Sequence, residues 1–450
     1  MKILCLDPAR NWHGIATGGG LIENLGLGYI AGVARDCSHE VQMIQPPLND
    51  VSDAEILELA IKSDVVAMSC MAYNADDAIR LAQNIRRWSP KTRLVAGGPG
   101  PSGMPEWFTS TFDAVIAGEG EHEFRLWLWS EGRIFGQITK AGRNMQWDGR
   151  PFPLRDLEVL KKSRMCGAWP ISNKEQVVAG IQYGRGCPYS CWFCSSQTVW
   201  QRKVCWRDPG SVTDELEEIH ERFGVNSVDF MDCTFNANHG KIIALCEEMI
   251  QRRINQKICS FVTLNPAQTR DAPEMYVAMV EAGFLKGGFG LEDPTSAARQ
   301  RLEKHSSDIE ACHRTFQAAS EAGLMVRCYL IIGAPGQGDT NVEAMKEMLS
   351  TWPIDEIRIS IFCPFPGTRA WFDLQDQIIE RDLRKYDANW PIIRSHWSPE
   401  ELLAIRKELA THFYQSSNYR TRRDERIARD PRFKAGYAEF ESFLNKAGYL

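Results

Sequence analysis

The stretch VVAGIQYGRGCPYSCWFCSSQ, residues 177 to 197, runs an apolar segment straight into a glycine- and proline-shaped loop that carries Cys187, Cys191 and Cys194. A short apolar run bounded by glycine reads as a buried strand. The cysteine loop therefore stands at the carboxyl end of a strand, which is where parallel α/β folds place their chemistry.

Three thiols spaced C-x-x-x-C-x-x-C can each hold one iron of a [4Fe-4S] cube and leave the fourth iron open to a ligand. The alternative is zinc. A structural zinc site needs a fourth ligand and is usually built from paired C-x-x-C or Cys/His groups. His220 and His239 could supply that ligand, but neither has such spacing relative to the triplet. The chain has 14 cysteines. Cys5, Cys70, Cys246, Cys328 and Cys363 lie in apolar runs and read as small core residues. Only the one triplet is spaced like ligands.

Downstream of the loop, strand-like runs recur at 225–231, 258–263, 285–291, 324–332 and 356–362, with helix-like segments at 211–223, 239–253, 272–282, 308–322 and 340–351. Six β/α units predict a curved, partly open barrel. Upstream, KILCL (2–6), EVQMIQ (40–45), DVVAMSC (64–70), RLVAG (93–97) and DAVIAG (113–118) alternate with amphipathic stretches near 22–35, 53–62, 75–88 and 121–130. That alternation predicts a parallel, doubly wound α/β sheet of the flavodoxin or Rossmann kind. The polar stretch KAGRNMQWDGRPFPLRD (140–156) breaks both periods. The expected organisation is an α/β domain over 1–135, a linker over 136–170, a barrel over 171–374 and a helical region over 375–450 that caps the barrel's open side. The basic residues at 420–429 are interleaved with Asp and Glu, as on a solvated helix face.

Bulk properties exclude several partners. A net charge of -6 with 24% charged residues offers no basic face for nucleic acid or membrane lipid. No window approaches the ~20 apolar residues of a spanning helix. The first residues hold only a short apolar stretch before Asp7, well below a signal-peptide core. The expectation is a cytoplasmic enzyme with reduced thiols and a small-molecule substrate.

The segment C-P-Y-S-C-W-F-C resembles the signature of the radical S-adenosylmethionine (SAM) superfamily. The resemblance implies a [4Fe-4S] cluster on Cys187, Cys191 and Cys194, with SAM chelating the open iron. It implies a 5'-deoxyadenosyl radical that abstracts hydrogen from substrate, and an external one-electron reductant of the flavodoxin or ferredoxin type. Phe193 matches the family position near the adenine. VDFMDCTFN (228–236) resembles the end of the second strand, where Asp232 and Thr234 would meet the amino end of SAM. FGLEDP (289–294) resembles the G-x-E segment, where Glu292 would bond the ribose. YLIIGAPGQ (329–337) and FCPFPGTRAW (362–371) resemble the fifth- and sixth-strand loops. Asp232 and Asp293 are the acidic candidates for catalysis.

Bland readings stand beside these. Glu292 could simply favour a helix N-terminus. Arg327 faces either SAM's carboxylate or the outer surface, and periodicity does not choose. Gly333, Pro335 and Gly336 need only shape a loop.

The first domain resembles the cobalamin-binding domain of cobalamin-dependent radical SAM enzymes, through LGLGYIAGVARDCSHEV (25–41), VAGGPGPSGMPE (95–106) and DAVIAGEGEHEF (113–124). Gly97, Gly98 and Gly118 are the expected loop contacts. Three departures count against bound cobalamin. Asp7 and His13 are too far apart for the D-x-H-x-x-G ligand motif. Glu23 and Asn24 precede Leu25 where members carry Pro-Pro, and Gly100 follows Pro99 where they carry His. The sequence thus supports cobalamin and its absence equally. With it, the family precedent is C-methylation, which family frequency makes the expected outcome; the alternative, without it, is dehydration of a diol on an aminoglycoside intermediate. A non-catalytic corrinoid or electron carrier would not need the strand-end segments around Asp232, Glu292 and Gly333. An RNA methylthiotransferase would bring further cluster cysteines and a basic domain.

Overall fold

The computed structural model describes residues 1–8, 21–132, 137–143, 145, 147–165, 167–266, 273–304 and 308–450. The first sheet contains β1 (Lys2–Leu6), β2 (Glu40–Ile44), β3 (Val65–Ser69), β4 (Arg93–Gly97), β5 (Ala114–Ala117) and β6 (Ile138–Lys140). All are parallel, in the order β2-β1-β3-β4-β5-β6. Helices on both faces bury two apolar clusters, so the strands read as nearly continuous runs of Val, Ile, Leu and Ala. Strand β6 lies inside the stretch read as linker. Its short ITK sequence pairs with β5 and gives little signal of its own.

The linker does not run free either. It crosses the helix Leu25–Asp36 where Gly28 and Gly32 leave room: Leu154 N donates to Gly28 O at 2.9 Å, and a Cβ on Gly32 would meet Phe152 O at 2.6 Å.

The second sheet consists of β7 (Val178–Ile181), β10 (Ser227–Phe230), β11 (Cys259–Leu264), β12 (Phe284–Glu292), β13 (Met325–Ile332) and β14 (Glu356–Ile361). Between β7 and β10 lies a short hairpin of β8 (Gly184–Arg185) and β9 (Cys205–Trp206). The six main strands are parallel in the order β14-β13-β12-β11-β10-β7, a partial barrel with edges at β7 and β14. The largest apolar cluster lies between this sheet and its helices. Cys5, Cys70, Cys246, Cys328 and Cys363 are buried, as their apolar settings suggested.

The amino-terminal end of the barrel is plugged. Trp169 is buried and donates from Nε1 to Ser227 Oγ at 2.9 Å. Lys286 Nζ bonds Ala168 O and Glu356 Oε1, both at 2.7 Å, and Arg327 closes on the same Glu356 carboxylate.

The tail forms helices Pro399–Tyr414, Ser417–Arg429 and Phe433–Ala447. Tyr414 Oη donates to Ile357 O at 3.2 Å and accepts from Ile357 N at 3.3 Å, so the first of these helices satisfies edge strand β14. Gly436 rests its Cα on the Trp169 backbone, and a Cβ there would overlap Trp169 O. Gly436→Ala should therefore lower unfolding stability by about 1–3 kcal/mol through overpacking, read as a lower urea midpoint. An unchanged midpoint would mean that the helix shifts freely on the plug.

The two sheets' carboxyl ends meet. Helix Pro99–Gly103 packs near Ser196–Trp200, and Gly103 touches Gly367 backbone to backbone, with no side chain between them.

Candidate active site

The cysteine loop leaves the carboxyl end of β7. Asp232, just beyond β10, accepts the backbone N–H groups of Tyr183 and Gly184 on its two carboxylate oxygens. Burial raises its pKa to about 7, against the pull of those amides. Gly186 has φ +101°, and a Cβ there would collide with Lys203 O, so the sharp entry to the loop requires glycine. Inside the loop, Cys194 N donates to Cys191 O at 3.1 Å. Trp192 N donates to Leu302 O at 3.2 Å, Ala370 N to Trp192 O at 3.2 Å, and Arg369 Nη2 to Ser190 O at 2.6 Å. The segments after β12 and β14 thus hold the loop's backbone.

The three thiols are half-buried and free of disulfides. Cys187 Sγ lies 3.1 Å from Thr234 Oγ1, and Cys194 Sγ 3.2 Å from Ser196 Oγ. Burial pushes the Cys191 thiol up to about 11, while the Lys304 ammonium pulls it back. Among the described residues no three His, Cys, Asp or Glu side chains gather around one ion. A cluster does not require that, since each thiolate takes its own iron. The donor set is three thiols, presented together on one firmly held loop, and it fits a [4Fe-4S] cube.

Beside it sits a feature the sequence did not disclose. Lys304 Nζ pairs with Glu292 Oε1 at 2.9 Å, with both side chains nearly buried. Burial works against the ammonium, but Glu292 and Cys191 overcome it and raise its pKa. Glu292 itself has φ +71°, a costly backbone for a side chain of this size, as is found at ligand sites. Phe193 packs edge-on against Phe362 with centroids 6.4 Å apart. Glu292, Lys304, Phe193 and Thr234 therefore gather around the cysteine loop. The signal for Lys304 was only its place twelve positions after Glu292.

Two expected site residues, Asp293 and Arg327, are committed to other partners, and Asp232 is partly so. Each oxygen of Asp232 accepts one backbone N–H at the loop entry, so it shapes the loop and keeps acceptor capacity on both oxygens. Asp293 is fully buried. It accepts from Thr295 N and Oγ1 at 2.6 Å each, from Gln337 Nε2 at 2.8 Å and from Asn341 Nδ2 at 3.0 Å. That saturated carboxylate ties β12 to the loop after β13 and has no capacity for catalysis. Arg327 lies near the start of β13, at the plugged end, locked to Glu356 and stacked on Phe261 at 5.2 Å. Glu356 holds it at that end.

A buried ionic network joins the first domain to the loop. Arg185 stands two residues before Cys187. Its guanidinium lies 4.1 Å from the Trp147 ring centroid, 4.7 Å from Tyr29 and 5.5 Å from Trp200. It pairs with Glu121 at 2.6 Å and lies 3.6 Å from Glu119, which Arg143 holds at 2.6 Å. Tyr29, Glu119 and Glu121 come from the first domain, Trp147 and Arg143 from the linker, and Trp200 from the helix after Cys194.

The first sheet's carboxyl ends face this region. Gly98 and Gly118, at φ +102° and +103°, are pressed against Cys70 O and Ala141 O and bridged by Ser102 Oγ. They are fixed by packing. Gly97 is more open, with its nearest atom, Ile116 O, 3.7 Å from a Cβ position. Asn74, at the turn after β3, has a buried Nδ2 without a partner among the described residues. The open glycine and the orphaned donor fit a large polar cofactor above the sheet. Glu23 is paired with Arg155 in a buried cluster, and Asn24 caps the helix Leu25–Asp36 while bonding Asp7 at 3.0 Å and Ser69 at 3.1 Å. His13 lies outside the described residues.

The B12 binding domain family matches residues 12–127, and the radical SAM superfamily matches residues 181–349. An uncharacterized methyltransferase of Pyrococcus horikoshii is 25% identical over 92% of both chains. An anaerobic magnesium-protoporphyrin IX monomethyl ester cyclase of Rubrivivax gelatinosus is 24% identical over 88% of this chain and 74% of its own. Among solved structures, the cobalamin-dependent SAM radical enzyme OxsB has a TM-score of 0.73 at 13% identity, covering 100% of this chain and 72% of its own. The radical SAM methyltransferase TsrM from Kitasatospora setae has 0.68 at 17% identity, covering 83% and 78%.

Proposed function

Because this chain belongs to the radical SAM superfamily and carries a B12-binding domain ahead of its barrel, we propose that it methylates a carbon of a small molecule in a cobalamin-dependent reaction. The observation that carries the proposal is the meeting of the two halves. The three-thiol loop and the carboxyl ends of the first sheet face one another across the Arg185 network. A bound [4Fe-4S] cluster would supply the electron that cleaves the sulfonium of SAM to methionine and a hydrogen-abstracting 5'-deoxyadenosyl radical. Bound cobalamin would supply a carrier for the methyl group.

The chain's own residues have distinct tasks. Cys187, Cys191 and Cys194 would hold the irons, with Thr234 placed against Cys187. Glu292 would bond the ribose hydroxyls, Lys304 would offer its cation to the SAM carboxylate, and Phe193 would flank the adenine. Asp232 holds the loop's entry in shape. Gly97 and Asn74 would meet cobalamin. An external flavodoxin- or ferredoxin-like donor would supply electrons, in the cytoplasm. Among the described residues no helix is long and apolar enough to cross a membrane.

A second reading is radical elimination without cobalamin, such as dehydration of a diol. It is favoured by Gly98 and Gly118 being consumed in packing, and by Glu23 and Asn24 being committed to internal bonds.

Anaerobic reconstitution with cobalamin, followed by metal analysis and assay of SAM cleavage, tests both readings. About four irons per chain with stoichiometric cobalt supports the methylase. Iron without cobalt moves the assignment to the second reading. Absence of iron and of cleavage ends the proposal.

A further inference from the structure

The register shows what lines the barrel. Paired residues of a parallel sheet point to the same face. Gly180, Asp229, Phe261 and Lys286 form one inward row, and Thr263, Gly288, Arg327 and Glu356 form another. Val228 and Phe230, either side of Asp229, belong to the helix-side core, which confirms that Asp229 faces the lumen. Two glycines of β12 make room in that lumen for Tyr329 and Glu292. A Cβ on Gly288 would meet Tyr329 Oη at 2.5 Å, and one on Gly290 would meet Glu292 Oε1 at 2.9 Å. Residues of the inward face therefore follow one another from Glu292, beside the cysteine loop, through Tyr329 to the row of Asp229.

The cations of this lumen are already committed, because Lys286 and Arg327 both close on Glu356. Asp229 is different. It is surrounded by protein, yet its side chain keeps solvent access, and among the described residues it forms no hydrogen bond or ion pair. Burial pushes its carboxyl up to about 7, with Arg327 pulling the other way. Its remaining access to solvent leaves that carboxylate open to a donor from a ligand. Since Asp229 is, among the described residues of these two rows, the charge left without a counter-ion, a ligand carboxylate or phosphate would meet repulsion there. A ligand ammonium would find a counter-ion.

We infer that Asp229 anchors the substrate and that the substrate carries a basic amine, held at Asp229 so that its carbon skeleton extends up the lumen toward Glu292 and the cysteine loop. This inference rests on the radical SAM reading of the same barrel. It narrows the substrate class from any small molecule to amines.

The test compares two probes of equal shape, cyclohexylamine and cyclohexanol, by saturation-transfer NMR on the anaerobic, reconstituted, oxidised holoenzyme at pH 8. The expected result is at least tenfold tighter binding of the amine, with that preference lost in Asp229→Asn. Equal binding of the two probes to the wild-type enzyme overturns the inference. So does an undiminished amine preference in Asp229→Asn. The wild-type comparison decides the matter even if the variant does not fold. SAM cleavage measured in the same wild-type preparation separates the two proposals. Cleavage without amine preference defeats the Asp229 assignment alone, whereas absent cleavage defeats the function from which it starts.

Discussion

Cys191→Ala should yield a folded protein that retains little iron after anaerobic reconstitution and forms no detectable 5'-deoxyadenosine from SAM. The loop keeps its shape without that thiol, because its retaining bonds are made by backbone atoms: Cys194 N to Cys191 O, Trp192 N to Leu302 O and Ala370 N to Trp192 O. Alanine preserves all three. The Cys191 side chain is half-buried and makes no bond on which the core depends, so melting should move by only a few degrees, as expected of a change of about 1 kcal/mol or less. The chemistry is far more sensitive. Two thiolates leave a second iron without a protein ligand, and a cube held by two corners is easily lost. Circular dichroism, iron analysis and single-turnover cleavage together decide the point. Cleavage at a substantial fraction of the wild-type rate would refute the assignment of Cys191 as a ligand.

Arg185→Met should be the most damaging change outside the cysteines. The guanidinium is sandwiched among Trp147, Tyr29 and Trp200 and answers the buried Glu121, while Arg143 answers Glu119. Methionine fills similar volume but leaves Glu121 with only the more distant Arg150, at 3.7 Å. Removing one partner of a buried pair typically costs about 3–5 kcal/mol, because the other charge stays desolvated. The loss should appear as a lower denaturant midpoint. Arg185 also stands between Gly184, held by Asp232, and Gly186, so iron content should fall with stability. Arg185→Lys should recover part of the stability through its charge and less of the iron, since an ammonium lacks the flat face that stacks on indole. A methionine variant with unchanged midpoint and full iron would show that the network does not set the loop.

The fold was largely legible because parallel strands buried on both faces are written as continuous apolar runs. Each of the eleven runs identified became a strand within a few residues. β6 was missed because three residues carry no period. The cysteine loop was legible because its ligands are adjacent in sequence. The carboxylates were harder. Asp229, Asp232 and Asp293 look alike in sequence, and only the structure shows that Asp232 binds backbone, Asp293 is saturated and Asp229 is uncommitted. Arg327 illustrates the same difficulty, since a position along a strand decides which end of a barrel its side chain serves. Lys304 and Arg185 act through partners 12 and about 64 residues away, and no local pattern announces such pairs.

The touching backbones of Gly103 and Gly367 have an evolutionary consequence. Because main chain meets main chain here, exchanges among the surrounding side chains need not alter the separation of the two halves at this point. The exception is the gain of a side chain at either glycine. A single methyl group there would act as a shim, prising apart the two halves and lengthening the path any transferred group must cross.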